Sequence, residues 1–376
     1  MKKILLLGPF PIGDKGLNGQ TIANQTLYEG LKKDYLVEYI NTSKELVFNN
    51  KREQGKFKLK KFLKIFLSFF SEIFHILFSK YDVIYMTPGQ SFLGFMRFSP
   101  YMILGFIKKI PCYIHIHGGN FRNIYNNLST KNQNIINYFL KRLSGVIVLG
   151  NSLRSMFKGL IEENKIFVCE NGVQNYVIAT EQEIKEKYER FNKSKKRKIL
   201  YLSNLMKEKG ILEVLKISEK FNENDIEFNL AGAIEPEIKE IVEDYLGKYP
   251  NKIVYHGVVN GQKKKNLLLN SDIFILPTYY TNEGQPISIL EAYITGCSVI
   301  TTYQGGIKDI FQDNINGVSC KAKDIDSIFE TIEKLKNDNQ YIKNNYQYGI
   351  ENYTKEKFVK RIENIIIGDK QDEIRV

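Results

Sequence analysis

The sequence predicts an α/β protein of two domains. Three observations point there. Its 376 residues are enough for two domains of ordinary size, each burying its own core. Short apolar runs end at glycine or proline and lead into helical stretches, the pattern of buried strands feeding helices. That pattern opens the chain at Lys3 and opens again at Lys198. The composition, 43% hydrophobic and 26% charged, is that of a soluble globular protein. Cys112, Cys169, Cys297 and Cys320 are widely scattered with no Cys-x-x-Cys, so reduced buried thiols in a cytosolic protein are expected, with no disulfide or metal role. The net charge of +12 is uneven: residues 1–175 carry +13 and the remainder −1.

Met1-Lys-Lys-Ile-Leu-Leu-Leu-Gly8-Pro9 imitates a signal peptide briefly, but its apolar core is too short and a glycine-rich loop stands where a cleavage site would be. It reads as the first buried strand. The loop, Gly8 to Gln20, leads into a helix expected from about Thr21 to Leu31, a Rossmann-like opening without the Gly-x-Gly-x-x-Gly dinucleotide spacing. Residues 57–78 are amphipathic. Lys60, Lys64, Ser68, Ser71 and His75 share one helical face, while Phe62, Phe66, Phe70, Ile73, Phe74 and Leu77 lie on the broad other one. Lys64 and Glu72 interrupt the apolar run, so it does not read as a spanning helix. With Lys51, Arg52, Lys56, Lys58 and Lys61 nearby, contact with an anionic membrane surface is expected. Packing against the strand Tyr81–Met86 is the alternative for part of that face. Pro111-Cys-Tyr-Ile-His115-Ile-His117-Gly118-Gly119 is a strand running into a glycine turn. Alternation puts His115 and His117 on one side, with His117 at the loop and His115 in the core. Gly145–Leu149 and Lys165–Cys169 complete the first sheet, and the polar stretch from Gln174 to Lys198 reads as a linker and a surface helix.

The second half opens with the strand Lys198–Leu202 and the loop Ser203–Gly210, where a lysine would partner a diphosphate. Glu227–Ala233 and Ile253–Val259 are two further strand-plus-glycine units. Asp272-Ile-Phe-Ile-Leu276 is a buried strand stopped by Pro277. After a loop, Pro286 suits the first turn of a helix and Gly296 its left-handed cap. The backbone N–H groups of Gly284, Gln285, Ile287 and Ser288 then stand unpaired at a positive helix end, a seat for a diphosphate. Glu283 and Glu291 flank that seat and can accept hydrogen bonds from sugar hydroxyls on both sides of the phosphates. The spacing fits a sugar, diphosphate, ribose ligand. Asp324-Ile-Asp326 is an Asp-x-Asp, but it precedes an amphipathic helix and reads as an N-cap rather than a metal site.

Glu283-Gly-Gln-Pro-Ile-Ser-Ile-Leu-Glu291-Ala, followed by Gly296 and Gly305-Gly306, resembles the Glu-x7-Glu signature of retaining glycosyltransferases of family 4. Motifs of that family can be matched from residue 8 to about residue 320. The resemblance implies an α/β GT-B fold, two Rossmann-like domains facing each other across a cleft. It places an acceptor-binding domain at 1–175, a donor-binding domain at 176–354, and a C-terminal helix at 355–376 packing back on the first domain. Asn171-Gly172-Val173 matches the family turn at the interdomain crossing. His117 resembles the histidine that contacts the donor sugar near its reacting carbon, and Gly19 and Gln20 lie in the loop that faces the donor phosphates. Val258 occupies a base-contacting position. Asn204 stands where the family usually has an arginine five residues before Lys209, which leaves one cation fewer unless Lys207 turns inward.

The expected catalytic set is His117, Glu283 and Lys209. The expected donor contacts are Gly19, Gln20, Asn204, Lys207, Val258, Gly284, Gln285, Pro286, Ile287 and Glu291, with no metal or other cofactor. The expected activity is retaining, metal-independent transfer of a hexose from a UDP-sugar to a hydroxyl of a lipid-linked glycan in bacterial capsule or O-antigen assembly, peripheral on the cytoplasmic face of the cell membrane. Glu283→Ala and Lys209→Ala should each abolish most transfer and leave the fold intact. A GT-B sugar-nucleotide epimerase is the rival enzyme. A nucleic-acid binder is the non-enzymatic rival, disfavoured because the basic residues sit in an apolar helix without a recognised binding module.

Overall fold

The computed structural model describes residues 1–12, 18–43 and 71–368. They form two compact units, Met1–Glu170 with the chain from Phe358 onward, and Asn171–Lys357. The sequence places these boundaries at 175 and 354. Each unit is built on a six-stranded sheet whose named strands pair in parallel.

The first sheet comprises β1 (Lys3–Gly8), β2 (Leu36–Asn41), β3 (Val83–Met86), β4 (Cys112–Ile116), β5 (Gly145–Val148) and β6 (Ile166–Val168), in the order β2-β1-β3-β4-β5-β6. Its central strands are near-continuous apolar runs because both faces are covered, as a parallel sheet requires. Successive side chains divide between two cores. Leu5, Leu7, Ile84 and Met86 enter one cluster, and Ile4, Leu6, Val83 and Tyr85 the other. Phe358, Ile362, Ile365 and Ile366 of the helix Lys355–Ile367 complete the second cluster. Gly30 lets that helix approach, since a Cβ there would lie 2.4 Å from Val359 Cγ2.

Residues 57–70 of the amphipathic stretch lie outside the described residues, as do 13–17 of the glycine-rich loop; residues 71–78 are helical. Ile73 and Ile76 of that helix enter the core, whereas Phe74 and Phe78 are 64% and 71% exposed. The apolar face is thus divided, with Ile73 and Ile76 packed inward and Phe74 and Phe78 outward. The turn runs beside the helix Ser99–Ile107. Tyr101 donates to Glu72 (2.9 Å), and Lys108 Nζ donates to the carbonyls of Ile76 and Leu77 (2.9 and 2.8 Å). Ile103 and Ile107, four residues apart on that second helix, are also exposed. No helix among the described residues is long and apolar enough to cross a membrane.

The second sheet comprises β7 (Arg197–Leu202), β8 (Ile226–Ala231), β9 (Ile253–Tyr255), β10 (Ile273–Leu276), β11 (Ser298–Thr301) and β12 (Gly317–Ser319), in the order β12-β11-β10-β7-β8-β9. This is the doubly wound order, and its direction reverses between β7 and β10. The stretch expected as a linker and surface helix is part of this unit's packing. Thr180 and Glu183 form a capping box for the helix Glu181–Lys193, and Lys187 is buried, donating to the carbonyls of Leu268 (3.2 Å) and Thr295 (2.8 Å). A long lysine stem reaching two helix-end carbonyls turned a polar-looking helix inward. Asp324 accepts from the amide of Ser327 at 2.9 Å, as an N-cap does.

Candidate functional site

The reversal between β7 and β10 brings two loops together in the second unit. The amide of Tyr279 donates to Glu208 O (2.8 Å), and Gly210, at φ +80°, lies so close to Pro277 that a Cβ would be 2.5 Å from its carbonyl oxygen. Only glycine combines that dihedral with that approach. The consequence is a fixed Lys209, whose Nζ sits 2.5 Å from Glu283 Oε2. Thr278 Oγ1 donates to the same oxygen at 3.1 Å, and Lys209 Nζ stands 5.2 Å from the centre of the Tyr280 ring. Behind the loop, Gly305 at φ +55° abuts Glu283, with 2.0 Å between its ideal Cβ and the Glu283 carbonyl, and Gly306 donates to Gly284 O (2.8 Å). The Gly-Gly pair is thus the backing plate of the acidic loop.

The helix after this loop runs Ile287–Ile294, with Pro286 one position outside it as the N-cap residue rather than inside the first turn. Its ψ of 114° is extended, so the helix starts one residue later than its φ alone suggests. The amides of Ile287 and Ser288 bond to no described group, and with Gly284 they form the positive end near the Lys209–Glu283 loop. The side chain and carbonyl of Gln285 face Asn171. Its side-chain oxygen accepts from the Asn171 amide (2.6 Å) and its carbonyl accepts from Asn171 Nδ2 (3.2 Å), both buried. That side chain is a latch between the loop and the start of this unit.

Glu291 is 3% exposed and paired with Lys264, Nζ to Oε1 2.6 Å. Burial pushes the Lys264 ammonium down, but Glu291 and Tyr176 outweigh it and hold the group above the usual lysine range. Sequence reasoning missed Lys264 because Lys263-Lys264-Lys265 reads as a solvated charge run. On the helix Gly261–Leu269 such neighbours point in different directions, so phase was the one signal available. Asn204 and Lys207 are exposed, and no side-chain partner for either occurs among the described residues, so Lys207 does not join Lys209 and Glu283. Val258 is 64% exposed beside Gly257 at φ +69°, and Gly257 O accepts from Gly232, which itself presses on Ser203 O. The loops after β7, β8 and β9 are therefore tied side by side.

His117, Gly19 and Gln20 belong to the first unit. Gly19 lies in the first turn of the helix Gly19–Leu31, which begins two residues earlier than expected because Asn18 and Thr21 form a capping box. Gln20 Nε2 donates to Thr87 O at 2.8 Å, joining the start of this helix to the loop after β3. His115 is fully buried with Nδ1 2.7 Å from Tyr85 OH, and its ring centre is 4.2 Å from that of His117. Nε2 of each histidine is buried with no described partner. Burial pushes the His117 imidazole down to about 3, so it is neutral at physiological pH.

A family model described as glycosyl transferases group 1 matches residues 182–356, the stretch that contains Lys209, Glu283, Lys264 and Glu291. The chain is similar to an uncharacterized glycosyltransferase of Methanocaldococcus jannaschii, 26% identical over 58% of this chain and 59% of that relative's length. It is also similar to the Escherichia coli UDP-Gal:alpha-D-GlcNAc-diphosphoundecaprenol alpha-1,3-galactosyltransferase, 25% identical over 69% and 67%. Among solved structures, Anabaena HepE in complex with UDP-glucose matches with a TM-score of 0.67 at 15% identity, over 97% of this chain and 99% of that one. The fold of this chain is GT-B.

Proposed function

We propose that the chain transfers a hexose from a UDP-sugar to a hydroxyl of a lipid-linked glycan, with retention at the anomeric carbon, in capsule or O-antigen assembly. The observation that carries this reading is the Lys209–Glu283 pair held beside the free amides of Ile287 and Ser288. A cation and a positive helix end suit a diphosphate, and a fixed carboxylate beside them suits sugar hydroxyls. In this reading Lys209 and the helix amides take up charge as the bond from the anomeric carbon to the diphosphate breaks, an electrostatic contribution already oriented before reaction. Glu283 holds the sugar. The acceptor hydroxyl attacks from the leaving-group side. The diphosphate charge is met by protein groups, and the reaction calls for no resident metal. The E. coli relative, whose name specifies a UDP-galactose donor and a diphosphoundecaprenol-linked acceptor, supports the choice of substrate class.

Such an acceptor is membrane-borne. Phe74, Phe78, Ile103 and Ile107 on two neighbouring helices offer an apolar face, with Lys80 and Lys109 exposed nearby, suited to the cytoplasmic surface of an anionic bilayer. The activity test incubates the protein with UDP- and GDP-sugars and follows thermal stabilisation and the anomeric configuration of products by NMR. Stabilisation by one UDP-sugar and an axial product from an axial donor are expected. An inverted product contradicts retention, and isomerisation of the donor without acceptor establishes the epimerase instead. Flotation with liposomes tests location; binding indifferent to anionic lipid contradicts it.

A further inference from the structure

Among the described residues, Lys209 meets the first carboxylate of the Glu-x7-Glu pair and Lys264, a buried lysine, meets the second. It projects from the helix Gly261–Leu269, has 9% of its side chain exposed, and reaches Glu291 Oε1 at 2.6 Å. On its other side stands Tyr176, whose ring centre is 6.0 Å from the same nitrogen. Tyr176 lies in the short turn Asn175–Val177, just after the Asn171 that latches Gln285. Glu291 itself is on the second turn of the helix Ile287–Ile294 and has only 4% of its side chain exposed. A carboxylate this enclosed is costly unless a cation compensates it and fixes its oxygens. Lys264 occupies Oε1 alone; no described group bonds Oε2.

We infer that Lys264 is a positioning residue of the donor site, one that holds the Glu291 carboxylate turned so that its second oxygen can accept hydrogen bonds from the ribose hydroxyls of the nucleotide. The inference rests on the donor reading given above. Lys264 itself does not touch the nucleotide; it acts through Glu291. Removing its charge while keeping its bulk frees the carboxylate to rotate, and the site then loses its preference for a ribose over a deoxyribose. Removing a side chain that only braced the helix would lower stability without altering that preference.

The test is calorimetric titration of the full chain with UDP and with 2′-deoxy-UDP. The wild type is expected to prefer UDP by about tenfold, the worth of one hydrogen bond to a charged group. Lys264→Met and Glu291→Gln should each reduce that preference to within about twofold, and Lys264→Arg should retain most of it. Lys264→Gln, which leaves a neutral donor in the same slot, replaces the methionine variant if that one does not fold, with the same loss expected. Full preference in a folded Lys264→Met or Lys264→Gln variant overturns the inference. A wild type that binds neither nucleotide, nor GDP, overturns the donor reading on which it rests.

Discussion

The contact between Lys209 and Glu283 sets two opposite charges where little water reaches, so each compensates the other. Lys209→Ala or Glu283→Ala should lower transfer by about 10²–10³-fold, as the loss of one preorganised charge-stabilising group does. The contact revises the expectation that the fold is untouched. Each single variant strands a charge and should cost about 1–3 kcal/mol of stability, and the double variant less than the sum, measured by urea unfolding. His117 gives a second prediction. Its folded value near 3 lies below the ordinary 6.5, so the unfolded chain binds more protons between those limits and stability falls as pH drops through that window. His115, buried and likewise pushed down, adds to the slope. Unfolding midpoints at pH 7 and pH 5 should differ by on the order of 1 kcal/mol per histidine, and His117→Gln should flatten the difference. Lys209 and Glu283 were legible in the sequence because each follows a strand in a glycine-bearing loop. Lys264 and the Gln285–Asn171 latch were not, since a tertiary partner 27 or 114 residues away leaves no local trace.

The loops and helix ends test the same site from behind. Gly305→Ala would push a methyl into the Glu283 carbonyl at a positive φ, so it should impair donor binding while leaving the rest of the second unit folded. Retained UDP affinity in that variant would show that the Gly305-Gly306 turn does not back the acidic loop. Asp324→Ala should cost about 1 kcal/mol by loss of an N-cap and change neither activity nor its response to divalent cations. A cation-dependent loss there would revive the Asp-x-Asp as a metal site. Strands and glycine turns were readable from apolar runs and their punctuation, to within a residue or two. The helix Glu181–Lys193 is a surface helix as its polar composition suggests, but its buried side, carried by Ile184, the Lys187 stem and Phe191, was not read from that composition. The sequence pattern grouped Phe74 with Ile73 on one apolar face without saying which of them the core covers, since hydrophobicity alone does not name the partner.

The order of the second sheet places its reversal where Lys209 and Glu283 meet, so topology and chemistry coincide there. The first unit is not finished until the chain returns: Phe358, Ile362, Ile365 and Ile366 join Ile4, Leu6 and Leu27 in one core. Each such burial contributes about 1.5–3 kcal/mol, so truncation after residue 354 should unfold the first unit, seen as loss of a cooperative transition and exposure of apolar surface to dye. The two-domain α/β class was readable from length and repeated strand-to-helix units. The precise ends at Glu170 and Lys357 were not, because they depend on which helix completes which core. A crystal soaked with UDP-sugar decides whether the donor is seated as described. Diphosphate density against Lys209 Nζ and the amides of Ile287 and Ser288, with the sugar on Glu283 and the ribose on Glu291, is the predicted result; a nucleotide bound away from these groups, or none at saturating concentration, contradicts it.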